Sequence, residues 1–463
     1  MAEVTQQVST RTRISFGVGS TAEAICLYSF GLLSMLYYNQ VLGLSATLAG
    51  LAPTIALIFD AVSDPLIGAW SDRFKSVRWG RRHPFMFVAP LPIALSFVAI
   101  FNPPESLEGV SLFLWFLFFA VSLRTFMTLF HVPHLALGGE LSSDYLERTK
   151  IMSYNNFFGW IGGAGTHFVS LTFAFAATAE FANGLLNPHA YPVFSVTAGC
   201  LVFVVLYGSA WLTRDQIPRL YQPTETAEKF SYRNFISDIL AVLRNRNYVF
   251  LLVALFMLSI MIGMRTAFNL YMTTYYWELL PAQIALFVIG SAIGYYSAFA
   301  FTAPLHKLLD KRSTIVASAV LLAIVPALPV LLRMAGWFPD NGHPSLLPLM
   351  ILFSGLGGVW GAVLNISVMS ALADIADENE LLYGQRQEGM LYSARTFFAK
   401  ADNALGHFVA GVTLDLISFP VKSRPGSIDS ETIYWLGIVD SPVTIVPGLI
   451  AAAIYAGYRI DRK

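Results

Sequence analysis

Charge is what this sequence has least of. Of 463 residues only 13% are Asp, Glu, Lys or Arg, about half the roughly 25% of a soluble domain, while 56% are hydrophobic and the mean hydropathy is +0.59. So few charges cannot cover a water-exposed surface, which excludes a soluble globular protein. Cysteine is nearly absent as well: Cys26 and Cys200 both fall within apolar runs, which excludes a disulfide framework. No basic tract interleaved with aromatics is present, and nucleic acid is therefore not an expected partner. Intramembrane catalysis lacks its usual marks too, since there is no His-Glu-x-x-His zinc site, no Gly-x-Gly-Asp segment and no phosphotransferase aspartate array. An intramembrane enzyme using an aspartate dyad is only a remote alternative.

What fills the chain instead is a series of apolar stretches, each long enough to cross a hydrocarbon core of about 30 Å. Twelve are counted, over 14–41, 46–71, 84–101, 109–140, 152–178, 192–213, 248–275, 281–305, 314–334, 345–373, 389–419 and 438–458. The first is too long, and lacks the small-residue site, for a removable signal peptide, so the N-terminus is expected to be retained. Basic residues gather in alternate connections, as at Arg11 and Arg13, at Arg73 through Arg82, at Lys307 through Arg312 and at the C-terminal Arg459 to Lys463. By the positive-inside rule both termini and the long middle loop are cytoplasmic, in a multi-pass protein of the cell (inner) membrane. The expected fold class is an all-α polytopic membrane protein with twelve transmembrane helices in two six-helix bundles, over residues 1–213 and 248–463, joined by a middle loop over 214–247. Within that loop, 223–229 reads as a linker and 230–243 as an amphipathic surface helix.

A faint internal repeat supports two related halves. Span 1 closes on Tyr37 and Tyr38, span 7 on Tyr275 and Tyr276; span 2 leads through Pro65 to Asp72 and Arg73, span 8 through Pro304 to Asp310, Lys311 and Arg312. Two such halves around a midplane site are the arrangement of a secondary transporter rather than a channel.

Against this apolar background the ionisable residues inside spans stand out, because a charge near mid-membrane costs at least ~2.5–3.5 kcal/mol. Asp60 and Asp64 in span 2 are four apart and share a helix face. Oxygen ligands suit a hard cation, and a like-charged pair in low dielectric also takes a proton, so the pair is read as a cation or proton site. The competing reading is a structural ion pair with Arg124 or Lys400, and the two are compatible. Arg124, Thr128 and His131 form one stripe of span 4. His131 either titrates or hydrogen-bonds a sugar hydroxyl, or it is a neutral histidine bonded to a neighbouring helix. Glu23 in span 1 is read as a cavity residue, and Asn156 with Trp160 in span 5 either stack on a sugar ring or simply pack. On span 11 Thr396, Lys400, Asn403 and His407 form a further polar stripe, with Lys400 read as a pathway residue; Arg265 in span 7 needs an internal partner that the sequence does not identify.

The segment from Gly68 through Ser71, Asp72 and Arg73 to Gly80, Arg81, Arg82, Pro84 and Phe85 resembles the loop signature of the major facilitator superfamily, in the longer form of glycoside/cation symporters and sucrose transporters. The Asp60 to Pro65 segment is similar to the paired helix II aspartates of the glycoside-pentoside-hexuronide/cation symporters, and 37–45 to their end of helix I. Asp374, Asp377, Gly384, Arg386, Glu388 and Lys400 resemble their loop between helices X and XI and their helix XI lysine. The resemblance implies alternating access by two rocking bundles, with Na⁺, Li⁺ or H⁺ coupled to glycoside uptake. In the melibiose permease pattern the cation ligands map to Asp60, Ser63, Asp64 and Thr128, with Asp60 and Asp64 holding the ion if it is sodium. No other cofactor is implied. The galactoside-binding positions map to Glu23 or Ala24, to His131 and to Asn156, and an expected aromatic is Leu135, departures that argue against an α-galactoside.

For Asp72, Arg73, Arg81 and Arg82 the resemblance implies a gate at the cytoplasmic surface, where the plain reading is topology alone; Asp374, Asp377, Glu378, Arg386 and Glu388 are its candidate partners. The expected function is cation-coupled import of a glycoside, a disaccharide such as sucrose or maltose being one candidate. A transporter of the same fold carrying a lysophospholipid is the alternative, since the 36 Phe and 20 Tyr offer surface for an acyl chain. The expected partners are a small-molecule substrate and the lipid bilayer.

Overall fold

The structure is a computed structural model that describes residues 8–74, 76, 78–142, 144–220, 243–383 and 405–458. Arg386, Glu388, Thr396, Lys400 and Asn403 lie outside these residues, as do the 223–229 linker, nearly all of the 230–243 surface helix and the basic C-terminal residues. Among the described residues the secondary structure is helical throughout, with no strand. The chain divides into two compact units, one of Met1–Leu44 with Ile55–Phe230 and one of Ser45–Thr54 with Ser231–Lys463.

In the first unit α1 spans Thr10–Leu36, opened by Ser9, whose side chain accepts the Thr12 N–H at 3.1 Å. α2 spans Ala46–Arg73, α3 His83–Val88 and α4 Pro90–Ile100; Pro90 supplies no N–H and separates the last two within one apolar span. α5 spans Gly109–Glu140, α6 Tyr145–Val169 and α7 Ala190–Leu212. Asp144 caps α6 by accepting the Glu147 N–H at 2.8 Å. The α1–α6 seam is closed by a glycine: a Cβ on Gly162 would fall 2.5 Å from the Thr21 carbonyl oxygen, so only hydrogen fits there.

The second unit begins with α8, Arg246–Tyr271, capped by Asn245. A helical stretch from Phe287 to Ile324 turns sharply at Asp310, whose φ of 62° lies in the left-handed region, so it comprises two consecutive spans, as the sequence counted. Helices follow over Leu346–Tyr383, Leu405–Leu416, Ser430–Ile438 and Thr444–Tyr455. Nine helices among the described residues are long and apolar enough to cross a membrane. α6 is not among them, because Asn155, Asn156, Thr166, His167 and several glycines lower its hydropathy along its length.

The repeat anticipated from the tyrosine pairs has a structural counterpart. α1 ends in a π-helical turn over Tyr37–Val41, and α8 ends in one over Met272–Tyr276. Tyr37 stacks on Tyr191 and Tyr38 on Phe116, while Tyr275 meets Phe419 edge-on. Their hydroxyls donate to loop or helix-end carbonyls, Tyr38 to Ile100 at 2.8 Å and Tyr275 to Ser423 at 3.1 Å. Each π turn rotates aromatic rings inward to plug the end of its own unit.

The first residues of α2 pack within the second unit, against Leu405–Leu416. Asp415 accepts the Ala46 and Thr47 N–H groups at 3.0 and 2.9 Å, satisfying two of the unpaired amides of the helix start. A Cβ on Gly411 would meet the Ala46 carbonyl oxygen at 2.3 Å, which explains glycine there.

Candidate functional site

The two aspartates of α2 face α5. Asp60 is 2% exposed and Arg124 7% exposed, so both charges are out of water and need each other. Arg124 Nη2 donates to Asp60 Oδ2 at 2.5 Å, and the Thr128 hydroxyl lies 2.5 Å from Asp60 Oδ1 and 2.9 Å from Asp64 Oδ1. Of the two basic partners anticipated for the pair, Arg124 meets Asp60, and Lys400 lies outside the described residues.

Thr128 makes the geometry informative. A hydroxyl has one hydrogen to give, so it makes a full hydrogen bond to one carboxylate and at best shares that hydrogen with the other. The other contact is favourable if that carboxyl is protonated and donates back, or if a cation lies between the oxygens. Ser63 is buried beside the pair, but its hydroxyl donates to the Asp60 backbone carbonyl at 3.1 Å and not to a carboxylate. As a ligand it would have to rotate away from its own helix.

One turn further along α5, His131 Nδ1 lies 2.7 Å from Glu23 Oε1. Of the two residues the register left open, Glu23 is the one that meets α5. A cavity of about 10 Å³ beside them, lined by Glu23, Cys26, Met127, Phe130 and His131, has room for roughly one water and none for a sugar. Leu135 is exposed. Asn156 and Trp160 are also exposed, on a stripe of α6 adjoining the one that packs on α1. Of the two adjacent asparagines it is Asn155 that reaches α1, where it accepts a hydrogen bond from Ser20.

At the α2–α3 connection the loop residues do come together. Asp72 lies 2.5 Å from Arg82 Nη2 and 4.0 Å from Arg81 Nη1, and Arg82 Nη1 donates to Ser71 at 2.8 Å. Glu140, at the end of α5 and not anticipated, takes Arg81 Nη2 at 2.5 Å and Arg82 Nη2 at 2.9 Å. Arg73 stands beside this group at the last residue of α2. At the start of α6, Glu147 joins Lys150 at 2.7 Å and Arg13 at 2.6 Å. Those two cations hold the Glu147 carboxyl below the ordinary glutamate range, the Lys150 hydrogen bond contributing most.

Asp374 and Glu378 are engaged within the second unit, Asp374 with Lys311 at 2.6 Å and Glu378 with the Asn245 and Asn247 amides at 2.8 Å. His134 is a further residue that sequence reasoning passed over. It is buried, stacked on Phe16 at 4.3 Å and 2.9 Å from the Phe16 carbonyl oxygen. Cys26 is buried and Cys200 exposed, both as free thiols.

An apolar chain, helical over its described residues, that buries paired charges within its spans suits a membrane transporter. A family model described as MFS/sugar transport protein matches residues 15–462, and the chain belongs to that family. It is similar to the isoprimeverose transporter of Lactiplantibacillus pentosus, 24% identical, covering 96% of this chain and 88% of that one. It is also similar to the sodium-dependent lysophosphatidylcholine symporter 1 of Mus musculus, 30% identical but over only 32% of this chain and 28% of that protein. Among solved structures, a bacterial homologue of the lysosomal transporter Spinster, inward-facing and unoccupied, covers 98% of this chain and is covered in full, with a TM-score of 0.64 at 13% identity. That likeness establishes the major facilitator fold. The protein is a sugar-type transporter of this superfamily, embedded in a membrane, and not an enzyme.

Proposed function

We propose that the protein imports a glycoside by coupling it to a cation moving down its gradient, with Asp60, Asp64 and Thr128 as the coupling site and Arg124 as its counter-charge. The carrying observation is the single Thr128 hydroxyl shared between two carboxylates, 2.5 and 2.9 Å away. In this reading the cluster takes up one more positive particle, a proton or a sodium ion among the oxygens. Entry of the particle weakens the hold of Asp60 on Arg124, and release restores it. Ser63 joins the ligands only after a rotamer change. Glu23 and His131, joined at 2.7 Å, are the groups closest along α5 through which substrate and ion would sense each other.

In this reading both termini and the middle loop are cytoplasmic, which the distribution of basic residues supports, with domains of 1–213 and 248–463 proposed about the 214–247 loop. Asp72, Arg73, Arg81 and Arg82 then form a cytoplasmic gate, with Glu140 as its internal anchor. A glycoside is favoured over a lysolipid because the isoprimeverose transporter matches along nearly the whole chain, whereas the lysophosphatidylcholine symporter matches along a third. The test is uptake of labelled sucrose, maltose, other glycosides and a lysophosphatidylcholine into vesicles, with Na⁺ and H⁺ gradients imposed separately. Accumulation of a sugar under one gradient is expected; accumulation of the lysolipid alone would replace the glycoside reading.

A further inference from the structure

The loop that follows α2 and the turn that follows α7 meet at one end of the first unit. His83 Nε2, at the start of α3, lies 3.2 Å from the Thr213 hydroxyl at the end of α7. A Cβ on Gly80 would stand 3.2 Å from the Ile217 side chain, so the two turns pack on each other. The junction carries four aromatic rings in a continuous run. Trp79 meets Phe87 at 5.3 Å, and Phe87 meets Tyr207 at 5.5 Å and Trp211 at 6.4 Å. Trp79, Tyr207 and Trp211 are exposed.

Two guanidinium groups lie on these rings. Arg214 sits 3.4 Å above the centre of the Trp211 ring, and Arg78 lies 5.4 Å from that of Trp79. Both are exposed, as is Arg219, and none of the three makes a hydrogen bond or ion pair among the described residues. The charges next to them are already balanced, since Asp72 and Glu140 hold Arg81 and Arg82. Asp215 opposes the three arginines with a single carboxylate, so the junction keeps an excess of positive charge. A guanidinium stacked by its face still offers its N–H edge, a planar fork that matches two phosphate oxygens.

Beyond the rings the surface turns aliphatic. Leu91 and Leu95 follow Phe87 at helical spacing and are exposed, and exposed Val204 continues the α7 stripe of Tyr207 and Trp211. α4 and α7 are in close contact there, because a Cβ on Gly199 would fall 2.8 Å from Val98. Cationic groups, then rings with polar edges, then aliphatic side chains follow the profile of a phospholipid from headgroup to acyl chain.

We propose that this junction binds one anionic phospholipid. Arg78 and Arg214 hold its phosphate, Trp79 and Trp211 flank its glycerol region, and an acyl chain runs along α3, α4 and α7. A phosphocholine lipid brings its own cation to the arginines and gains less. The proposal rests on the protein being embedded in a membrane and not on the glycoside reading.

The test is equilibrium binding, to the full chain in detergent, of phosphatidylglycerol labelled on an acyl chain. Unlabelled phosphatidylglycerol is expected to compete well ahead of phosphatidylcholine, and soluble glycerol phosphate not at all. Arg78→Gln and Arg214→Gln each weaken binding on the order of fivefold, with thermal midpoints unchanged because both side chains are exposed. Arg214→Lys, which keeps the charge and loses the planar fork, falls between. Arg11→Gln, at another exposed arginine near the start of α1, leaves binding as in wild type. An equal loss in Arg11→Gln would reduce the site to diffuse surface charge. Wild-type binding in both Arg78→Gln and Arg214→Gln, equal competition by phosphatidylcholine, or displacement by glycerol phosphate would each overturn it. Failure of the transport reading looks different: lipid binding that depends on Arg78 and Arg214 in a protein whose vesicles accumulate no sugar.

Discussion

Among the described residues the two units bury charge in different ways. In the first, every ionisable group within a span that the sequence singled out meets another side chain: Asp60 with Arg124 and Thr128, Glu23 with His131. In the second, Arg265 donates mainly to backbone, to the carbonyls of Leu322 and Ala323 at 2.8 and 2.5 Å, and to Thr444 at 3.3 Å. The Leu322 carbonyl is open because Pro326, four residues later, has no N–H to give. Asp440 adds an opposite charge nearby. Side-chain partners can be exchanged at little cost to the fold, whereas a backbone carbonyl freed by a proline cannot find another donor in an apolar interior. The first cluster is built to switch and the second to hold.

Substitution should break this contrast in a fixed order of severity. Asp60→Asn is expected to abolish sugar accumulation, leaving only downhill equilibration, as read from the intravesicular to external ratio. Arg265→Met should act on the fold instead, costing about 3–5 kcal/mol and depleting folded protein before any change in ion dependence appears, measured by thermal midpoint and size-exclusion profile. A folded, ion-insensitive Arg265→Met would dissolve the distinction between the units. Asp415→Ala removes the acceptor of the Ala46 and Thr47 amides and should cost about 1 kcal/mol, seen as a lower thermal midpoint.

The smallest effect concerns pH. The Glu147 carboxyl is held below the ordinary value of 4.5, so its contribution is present above that pH and is lost as pH falls through the folded-state value. A stability difference between wild type and Glu147→Gln should therefore exist at neutral pH and vanish in acid below 4.5, followed by thermal melts across pH.

Much of this was legible in the sequence because membranes make polarity expensive. Asp60, Asp64, Arg124, Thr128 and His131 declared themselves by standing in apolar runs at helical spacing. The tyrosine pairs marked equivalent helix ends, though not the π turns that rotate them, since one extra residue per turn leaves no compositional trace. Glu140 was passed over because it sits at a span end, where charge is cheap. Asn155 was missed by one residue in favour of Asn156. Asn155, Gly159, Gly162 and Thr166 share one face of α6, and that stripe of small and polar residues was the available sign of the helix contact. Arg265 was seen to need a partner, but a backbone carbonyl opened by a proline 61 positions later cannot be paired with it by spacing.

The most direct test of the coupling site separates exchange from accumulation in Asp64→Asn vesicles. If Asp64 carries the coupling charge, the variant still exchanges labelled for unlabelled sugar across the membrane yet concentrates none under either gradient. Accumulation at the wild-type level in that variant would contradict the assignment of the coupling charge to the Asp60, Asp64 and Thr128 cluster.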